Sequence, residues 1–263
     1  MASILISFLV IFLSCVSASA TACDRCLHQS KATYTSQIYS GGCGYGPLAW
    51  NFNNGLLAAG LPSLFKRGFG CGACFKVRCK DSALCKEEGT TVILTDSEGD
   101  NRTDLLLNKD AFSALANYGM SQQLLNHGIV DIEYKRVPCV YEHENLAIRV
   151  EEYSQRPHYL AITVLYQGGQ TEITDINIAT VGQRVWPGLR HKYGAVWETN
   201  RVPSGPLRFL FIVNSGDGDF NYYRTQIILP ADWTPGVIYN TEVQIKDTAQ
   251  ENCYPEPCDE STW

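Results

Sequence analysis

The cysteines of this chain constrain its fold more than any other feature, because eleven occur in 263 residues. One of them, Cys15, lies inside an N-terminal apolar run, which leaves an even set for the rest of the chain. That set is Cys23, Cys26, Cys43, Cys71, Cys74, Cys79, Cys85, Cys139, Cys253 and Cys258. An even set in an exported chain predicts a disulfide framework and no metal site. Zinc is the alternative, because CxxC pairs are present, but none of the five histidines lies at zinc-finger spacing.

The N-terminus predicts export. The apolar run over residues 4–16 is shorter than the ~20 residues needed to cross a bilayer, and Ala18-Ser19-Ala20 is a small-residue cleavage pattern. We therefore predict a signal peptide over residues 1–20 and a secreted, extracellular chain. A buried N-terminal helix is the alternative, because no Lys or Arg precedes the run. Asn101, in an Asn-Arg-Thr triplet, is the predicted glycosylation site.

Charge and motifs exclude several kinds of partner. The 21 basic and 27 acidic residues give a net charge of −6, and Lys and Arg form no run, so nucleic acid is not a predicted partner. No second apolar run approaches membrane length, so we predict no membrane partner either. The chain has no GxSxG, HExxH or P-loop motif. We predict a monomer without a cofactor.

The distribution of cysteines and strand patterns predicts two domains. Cysteines crowd positions 23–139 and then stop until position 253. The first half has strand patterns at residues 75–79, 92–95 and 130–136, and one helix that Asn108 caps and Gly119 ends. The second half has alternating strands, such as those around Leu160 and Phe209, separated by Gly- and Pro-rich turns and followed by a last strand at 242–245. This pattern predicts a β-sandwich.

Several segments resemble a known family. They are residues 42–46 (Gly-Cys-Gly-Tyr-Gly), 70–79, 128–139 and 193–197. Together they resemble the expansin superfamily, and the early and late cysteine pairs are similar to those of its plant expansin-like A branch. The resemblance implies a mainly β chain, with a double-psi β-barrel followed by an immunoglobulin-like β-sandwich. The implied domains are the signal peptide 1–20, an endoglucanase-like barrel domain 21–141, a carbohydrate-binding sandwich 142–248 and a cysteine-containing tail 249–263.

The resemblance also implies disulfides and a groove. The implied disulfides are Cys43–Cys71, Cys74–Cys139 and Cys79–Cys85, whereas Cys23, Cys26, Cys253 and Cys258 stay unassigned. Positions that match the groove of the family are Thr33, Tyr45 and Asp96. The alternative roles of these three are strand, packing and turn residue, respectively.

One position departs from the family pattern. Expansins carry an acid-like Asp in a His-Phe-Asp-Leu-Ser run before a Phe, and here Phe112 aligns that run with residues 104–108. The acid position is therefore Leu106, and we predict no catalytic residue. Asp104 stands at the position of the family His, and residues i and i+2 of a strand share a face. We predict Asp104 at the groove edge, with a working acid as the alternative.

The second domain of the family binds sugars on aromatic rings, whose faces stack on sugar C–H groups. Matching positions are Tyr159 and Tyr193, and Trp197 is a further candidate for the aromatic face. Tyr159 lies on the strand face opposite Leu160 and Ile162, so it points outward if those two are core residues. Tyr193 and Trp197 are four residues apart and would share a face of one strand.

The function that the resemblance implies is binding rather than cleavage. We predict a secreted cell-wall protein that binds wall polysaccharide, either cellulose or a matrix glucan or xylan, and loosens non-covalent polymer contacts without hydrolysis. One alternative is a carbohydrate-binding or signalling module without loosening activity. A weak endoglucanase is the other alternative.

Overall fold

A computed structural model describes residues 26–36, 41–97, 103–216 and 219–248. The predicted signal peptide, the glycosylation site Asn101 and the tail 249–263 lie outside the described residues, as do Cys23, Cys253 and Cys258. Among the described residues, no helix has the length and apolar character needed to span a membrane.

The first domain is a closed six-stranded barrel. Its strands are β1 (His28–Thr35), β2 (Leu57–Gly60), β3 (Cys74–Cys79), β4 (Thr90–Ser97), β5 (Leu105–Asn108) and β6 (Val130–Val137). They close in the order β1-β5-β2-β4-β3-β6. The pairs β1–β5 and β2–β4 are parallel, and the other pairs are antiparallel. This architecture confirms the predicted β-barrel.

Three short helices connect the strands: α1 (Pro62–Phe65), α2 (Lys109–Ser113) and α3 (Ser121–His127). Short 3-10 helices cover Gly46–Asn51, Asn53–Gly55 and Lys66–Gly68. Asn108 caps α2 as predicted, because its Oδ1 accepts a hydrogen bond from Ala111 N at 3.0 Å. The predicted extension to Gly119 is wrong: Leu115 O accepts from Lys86 N, and Ala116 pairs with Cys85, so this backbone bonds to another loop.

The second domain is a two-sheet sandwich. Its strands are β7 (Ala147–Val150), β8 (Leu160–Leu165), β9 (Glu172–Thr180), β10 (Arg190–Tyr193), β11 (Val196–Thr199), β12 (Leu207–Gly216), β13 (Asp219–Leu229) and β14 (Ile238–Asn240). One sheet has the order β10-β11-β8-β7-β14 and the other β13-β12-β9. The predicted strand at 242–245 is wrong, because Glu242 has a φ of 59°, which an extended strand does not accommodate.

Alternation buries one face of each sandwich sheet, as the sequence pattern predicts. Leu160, Ile162 and Val164 of β8 face Phe209 and Phe211 of β12 in one apolar cluster. Side chains of opposite parity on β8 therefore lie on the outer face of the five-stranded sheet. That face carries part of the candidate site.

The three disulfides implied by the resemblance are present: Cys43–Cys71, Cys74–Cys139 and Cys79–Cys85. Cys43, Cys71, Cys74 and Cys139 belong to an apolar cluster that also contains Ala147, Leu165 and Ala195 of the sandwich. The two domains therefore share a packed interface.

Candidate functional site

A row of side chains crosses four strands on the outside of the barrel. Thr33 of β1 is the register partner of Leu106 of β5, Leu106 is the partner of Ala59 of β2, and Ala59 is the partner of Asp96 of β4. Register partners lie side by side on one face, with strands about 4.8 Å apart, so the row is about 14 Å long. We call these four residues the groove row. It brings together Thr33, Asp96 and the substituted acid position.

Asp96 is held in place by the backbone. Its Oδ1 accepts hydrogen bonds from Gly42 N at 3.0 Å and from Ser97 N at 2.8 Å, and only 9% of the residue is exposed. A Cβ on Gly42 would lie 2.3 Å from this oxygen, so only glycine fits there. The carboxylate is therefore fixed relative to the loop that begins at Gly42.

The other polar groups near the row also have partners. Thr33 donates its hydroxyl hydrogen to Gly128 O at 2.9 Å. Asp104 lies just before β5 and outside the groove row. Its Oδ2 accepts a hydrogen bond at 2.9 Å from the hydroxyl of Tyr134, a buried residue of the barrel core. The Asp104 carboxylate is thus engaged away from Leu106.

Tyr45 does not line the groove, so that prediction is wrong. Only 3% of it is exposed, and its ring packs edge-on against Phe52 with centroids 4.9 Å apart. Burial, and then the nearby Tyr141, raise the pKa of the Tyr45 hydroxyl far above its usual value. Tyr45 belongs to the apolar cluster between the domains, because the turn in which it lies is covered by the sandwich.

Three tyrosines lie on the outer face of the five-stranded sheet. Tyr159 precedes β8 and is partly exposed, and Tyr193 ends β10 with 41% of its surface exposed. Tyr153 is the third: its ring centroid is 6.2 Å from that of Tyr159, with the planes 33° apart. Burial, and then the nearby Glu151, Tyr193 and Tyr159, raise the pKa of Tyr153. We call this set the tyrosine face.

The sequence does not predict a role for Tyr153, because this residue lies in a turn. A turn has no alternation of apolar and polar residues that would show which side chains share a face. The turn folds back at Gln155, whose N and O both bond Tyr159 at 2.8 Å. This hairpin brings Tyr153 beside Tyr159. The sequence offers one signal: an aromatic residue stands just before a tight turn, and an outward-facing aromatic residue follows that turn.

A polar layer supports the tyrosine face. Glu198 is 7% exposed, and its Oε2 accepts hydrogen bonds from the Tyr159 hydroxyl at 2.6 Å and pairs with Lys192 Nζ at 3.0 Å. Lys192 Nζ also lies 4.4 Å from the ring centroid of Tyr153. Beneath them, Glu151 accepts hydrogen bonds from Thr163 and Arg149. The rings of Tyr159 and Tyr153 are therefore held by polar partners before any ligand arrives.

Trp197 is not part of the tyrosine face, so that prediction is also wrong. It is 4% exposed and packs in the sandwich core, with Phe69 of the barrel and His191 against its ring. The parity argument fails because Tyr193 ends β10 and Trp197 lies on β11. The turn at Gly194-Ala195 between them breaks the alternation of a single strand.

The groove row and the tyrosine face meet at one loop. Gly42 bonds Asp96, whereas a Cβ on Gly44 would lie 3.3 Å from the Tyr193 ring. Two residues span at most about 7 Å of chain. Ala195 N also donates to Cys43 O at 2.9 Å, which fixes Tyr193 against this loop. The two surfaces therefore form one continuous tract across the domain boundary.

Family models match both halves of the chain. The model described as expansin C-terminal domain matches residues 146–227, and the one described as lytic transglycolase matches residues 57–134. The fold and these matches define the class: an expansin-type protein with a β-barrel followed by a β-sandwich. No cluster of metal-binding side chains occurs within the part of the chain that the structure describes.

Curated relatives narrow the class. Expansin-like A2 of Arabidopsis thaliana is 51% identical over 262 residues, which cover 97% of each chain. Expansin-like A3 of Oryza sativa subsp. japonica is 42% identical over 243 residues, which cover 89% of this chain and 88% of that one. The chain belongs to the expansin-like A family.

A solved structure has the same fold. The crystal structure of an apo expansin from Clavibacter michiganensis aligns with a TM-score of 0.63 at 22% identity, covering 83% of this chain and 97% of that one. A mutant of the Clavibacter expansin, whose crystal structure is in complex with cellohexaose, has the same TM-score and identity.

Proposed function

We propose that this protein binds wall polysaccharide along the tract formed by the groove row and the tyrosine face, and that it weakens polymer contacts without hydrolysis. The continuity of the two surfaces at the Gly42–Gly44 loop carries the proposal. Stacking of sugar faces on fixed tyrosine rings gives affinity with little ordering cost. The complex of the Clavibacter expansin with cellohexaose supports a β-glucan as ligand.

Two features support a non-hydrolytic role. Inverting cleavage needs two carboxyl groups roughly 6.5–9.5 Å apart, one of which is a general acid. The groove row has one carboxylate, that of Asp96, and Leu106 stands at the family acid position with no proton to give. The row can therefore hold a chain but lacks a pair that would cut it.

The location that we propose is outside the cell, in the wall. The three disulfides are typical of an oxidising compartment. The predicted signal peptide over residues 1–20 gives the route of export. A protein that binds a wall polymer competes with the contacts between polymers, and this competition requires binding in the wall but no cleavage.

Leu106 also favours a second candidate, a binding module without loosening activity. If loosening requires a carboxyl in the middle of the groove row, this chain binds polysaccharide and leaves wall mechanics unchanged. The two candidates share the same site. They differ only in the mechanical effect of binding.

One set of assays separates these candidates. The full chain is tested for retention on cellulose, release of reducing ends from glucan, and creep of heat-killed walls under load at acid pH. We expect retention, no release of reducing ends, and creep that is greater in Leu106→Asp than in the parent. Leu106→Asn is the matched control, because it has the shape of Asp without the acid.

Each other outcome has a meaning. Lack of retention on any wall polysaccharide contradicts the proposed function, and release of reducing ends would indicate an endoglucanase. Creep in neither the parent nor Leu106→Asp, with retention intact, identifies a binding module. Equal gains in Leu106→Asp and Leu106→Asn show that a polar group, rather than an acid, is what the row lacks.

A further inference from the structure

A polar pocket opens at the edge of the tyrosine face. Its volume is about 350 Å³, and its lining includes Tyr159, Arg190, Glu198 and Arg201. These residues come from three elements: the turn before β8, strand β10, and strand β11 with the loop that follows it. We call this cavity the arginine pocket. It shares Tyr159 with the tyrosine face, so a polymer that stacks there reaches the pocket.

The charges in and beside the pocket do not balance. Glu198 is buried, and it already pairs with Arg190 and Lys192 and accepts from the Tyr159 hydroxyl. Arg201 is exposed, and its guanidinium has no partner among the described residues. Three cations thus surround one neutralised carboxylate, an excess of two positive charges in a chain whose net charge is −6.

A neutral sugar has no charged group that could pair with this excess of positive charge. Hydroxyl groups bond equally well to amides and to neutral side chains, so a pocket for glucose alone needs no unpaired guanidinium. A planar guanidinium matches a carboxylate in a bidentate manner, with short charge-assisted hydrogen bonds. Glu198 already pairs with Arg190 and Lys192, so Arg201 is the cation of this set that is left to receive the ligand.

We infer that the arginine pocket binds the carboxylate of a uronic acid residue in a wall polysaccharide that lies on the tyrosine face. This inference rests on the proposed function and narrows the ligand to acidic wall polymers. The sugar ring of the uronic acid packs beside Tyr159, and its carboxylate pairs with Arg201. Neutral polymers bind the tyrosine face alone.

The first experiment compares polymers that differ only in the carboxyl group. Binding isotherms of the full chain are measured on glucuronoxylan, on the same polymer after reduction of its carboxyl groups, and on cellulose. We expect the parent to bind glucuronoxylan about tenfold tighter than the reduced polymer at low salt, as paired charges do across a binding surface. Raising the salt from about 10 to about 150 mM should narrow this gap, since screening shortens the reach of charges from about 30 to about 8 Å.

Two variants test whether Arg201 is the residue that recognises the carboxylate. Arg201→Gln should lower the ratio of glucuronoxylan to reduced-polymer affinity to about one, because it removes the bidentate partner. Arg224→Gln is the matched control: it removes the same charge from β13, on the other sheet, where the arginine lies over Trp186. A fall of the ratio in both variants would point to general charge attraction and overturn the inference.

A soluble probe separates this inference from the proposed function. NMR titrations follow the Arg201 side chain of the full chain with glucuronate, acetate and glucose. A response to glucuronate alone is expected; equal responses to acetate and glucuronate, or none, overturn the pocket. If the protein is retained on cellulose but binds the reduced polymer as tightly as glucuronoxylan, only the assignment of the arginine pocket is contradicted. If glucuronate binds at Arg201 but no polymer is retained, only the proposed function fails.

Discussion

At the scale of single residues, the tyrosine face depends on hydroxyl groups as much as on rings. The Tyr159 hydroxyl donates to Glu198 and accepts from Lys192 Nζ at 3.2 Å, so two polar anchors fix one ring. A tryptophan at this position would offer a larger ring and an N–H donor, but no oxygen to accept from Lys192. Tyrosine thus gives less stacking area and more fixed geometry.

The exposed ring of Tyr193 provides a direct test of binding. Tyr193→Ala should weaken retention on cellulose about threefold to tenfold, because one stacked ring contributes about 0.5–1.5 kcal/mol beyond its buried area. Tyr118→Ala is the control, since Tyr118 is a fully exposed tyrosine of the loop between α2 and α3 and belongs to neither the groove row nor the tyrosine face. Depletion isotherms on regenerated cellulose measure both. An equal loss in the two variants contradicts the proposed tyrosine face.

The position of Asp96 depends on a single glycine. Gly42→Ala places a Cβ 2.3 Å from Asp96 Oδ1, and should lower the free energy of unfolding by about 1–3 kcal/mol, as overpacking does. Gly41→Ala is the matched control, because a Cβ there meets nothing within 4 Å. Chemical denaturation measures the difference. Equal stability of the two variants would mean that the Asp96 loop relaxes freely.

The backbone fixes two of the proposed groove residues. Thr33 and Asp96 lie on strands of the barrel, and their register places them in one row, along which the polymer is proposed to lie. Trp197 is buried in the sandwich core, because a turn separates its strand from that of Tyr193, and Tyr45 is buried by the packing of one domain against the other. No local pattern in the sequence records that packing.

At the scale of elements, sequence patterns predict strands well and their ends less well. The alternation around β8 and β12 reflects burial on one face, which any sandwich requires. The helix after Asn108 ends early because the backbone that follows it bonds to a distant loop: Leu115 O accepts from Lys86 N, and Asn117 N donates to Leu84 O. Contacts of this kind are long-range, so propensity and capping residues do not reveal them.

The disulfides differ in the length of chain that they close. Cys74 and Cys139 are 65 residues apart, and Cys79 and Cys85 are six apart. A longer loop loses more entropy in the unfolded chain, so replacing the first pair by alanines should cost about 4 kcal/mol and replacing the second about 2 kcal/mol. Denaturation under non-reducing conditions compares the two double variants. A larger loss for the Cys79–Cys85 pair would contradict the entropic account.

At the scale of the whole molecule, a buried carboxylate ties the barrel to the sandwich. Glu172 of β9 bonds Arg136 of β6 at 2.5 Å and Lys66 of the barrel at 2.8 Å. With the apolar cluster around Cys139, this clamp holds the groove row and the tyrosine face in one alignment. A tract that crosses two domains requires such rigidity, because free rotation of the domains would separate its halves.

The pH dependence of stability tests this clamp. Burial alone would raise the pKa of Glu172, but the charges of Arg136 and Lys66 outweigh it and hold the pKa below its usual value near 4.5. Because the pKa of Glu172 is lower in the folded chain than in the unfolded chain, its charge stabilises the fold above pH 4.5. This contribution is lost as the pH falls through the pKa that Glu172 has in the folded chain. Glu172→Gln should therefore lower the free energy of unfolding by about 2–4 kcal/mol at pH 6, because it leaves two cations unpaired.

The difference between Glu172→Gln and the parent should shrink as the pH falls from 4.5 through the lowered pKa of Glu172, because the parent carboxylate then also loses its charge. Asp175→Asn is the matched control, since Asp175 is an exposed residue of the same strand. Urea denaturation of the parent and both variants from pH 3 to about pH 7 measures the three curves. A constant gap across this range would show that Glu172 acts through packing rather than charge. The tract would then be aligned by the apolar cluster alone.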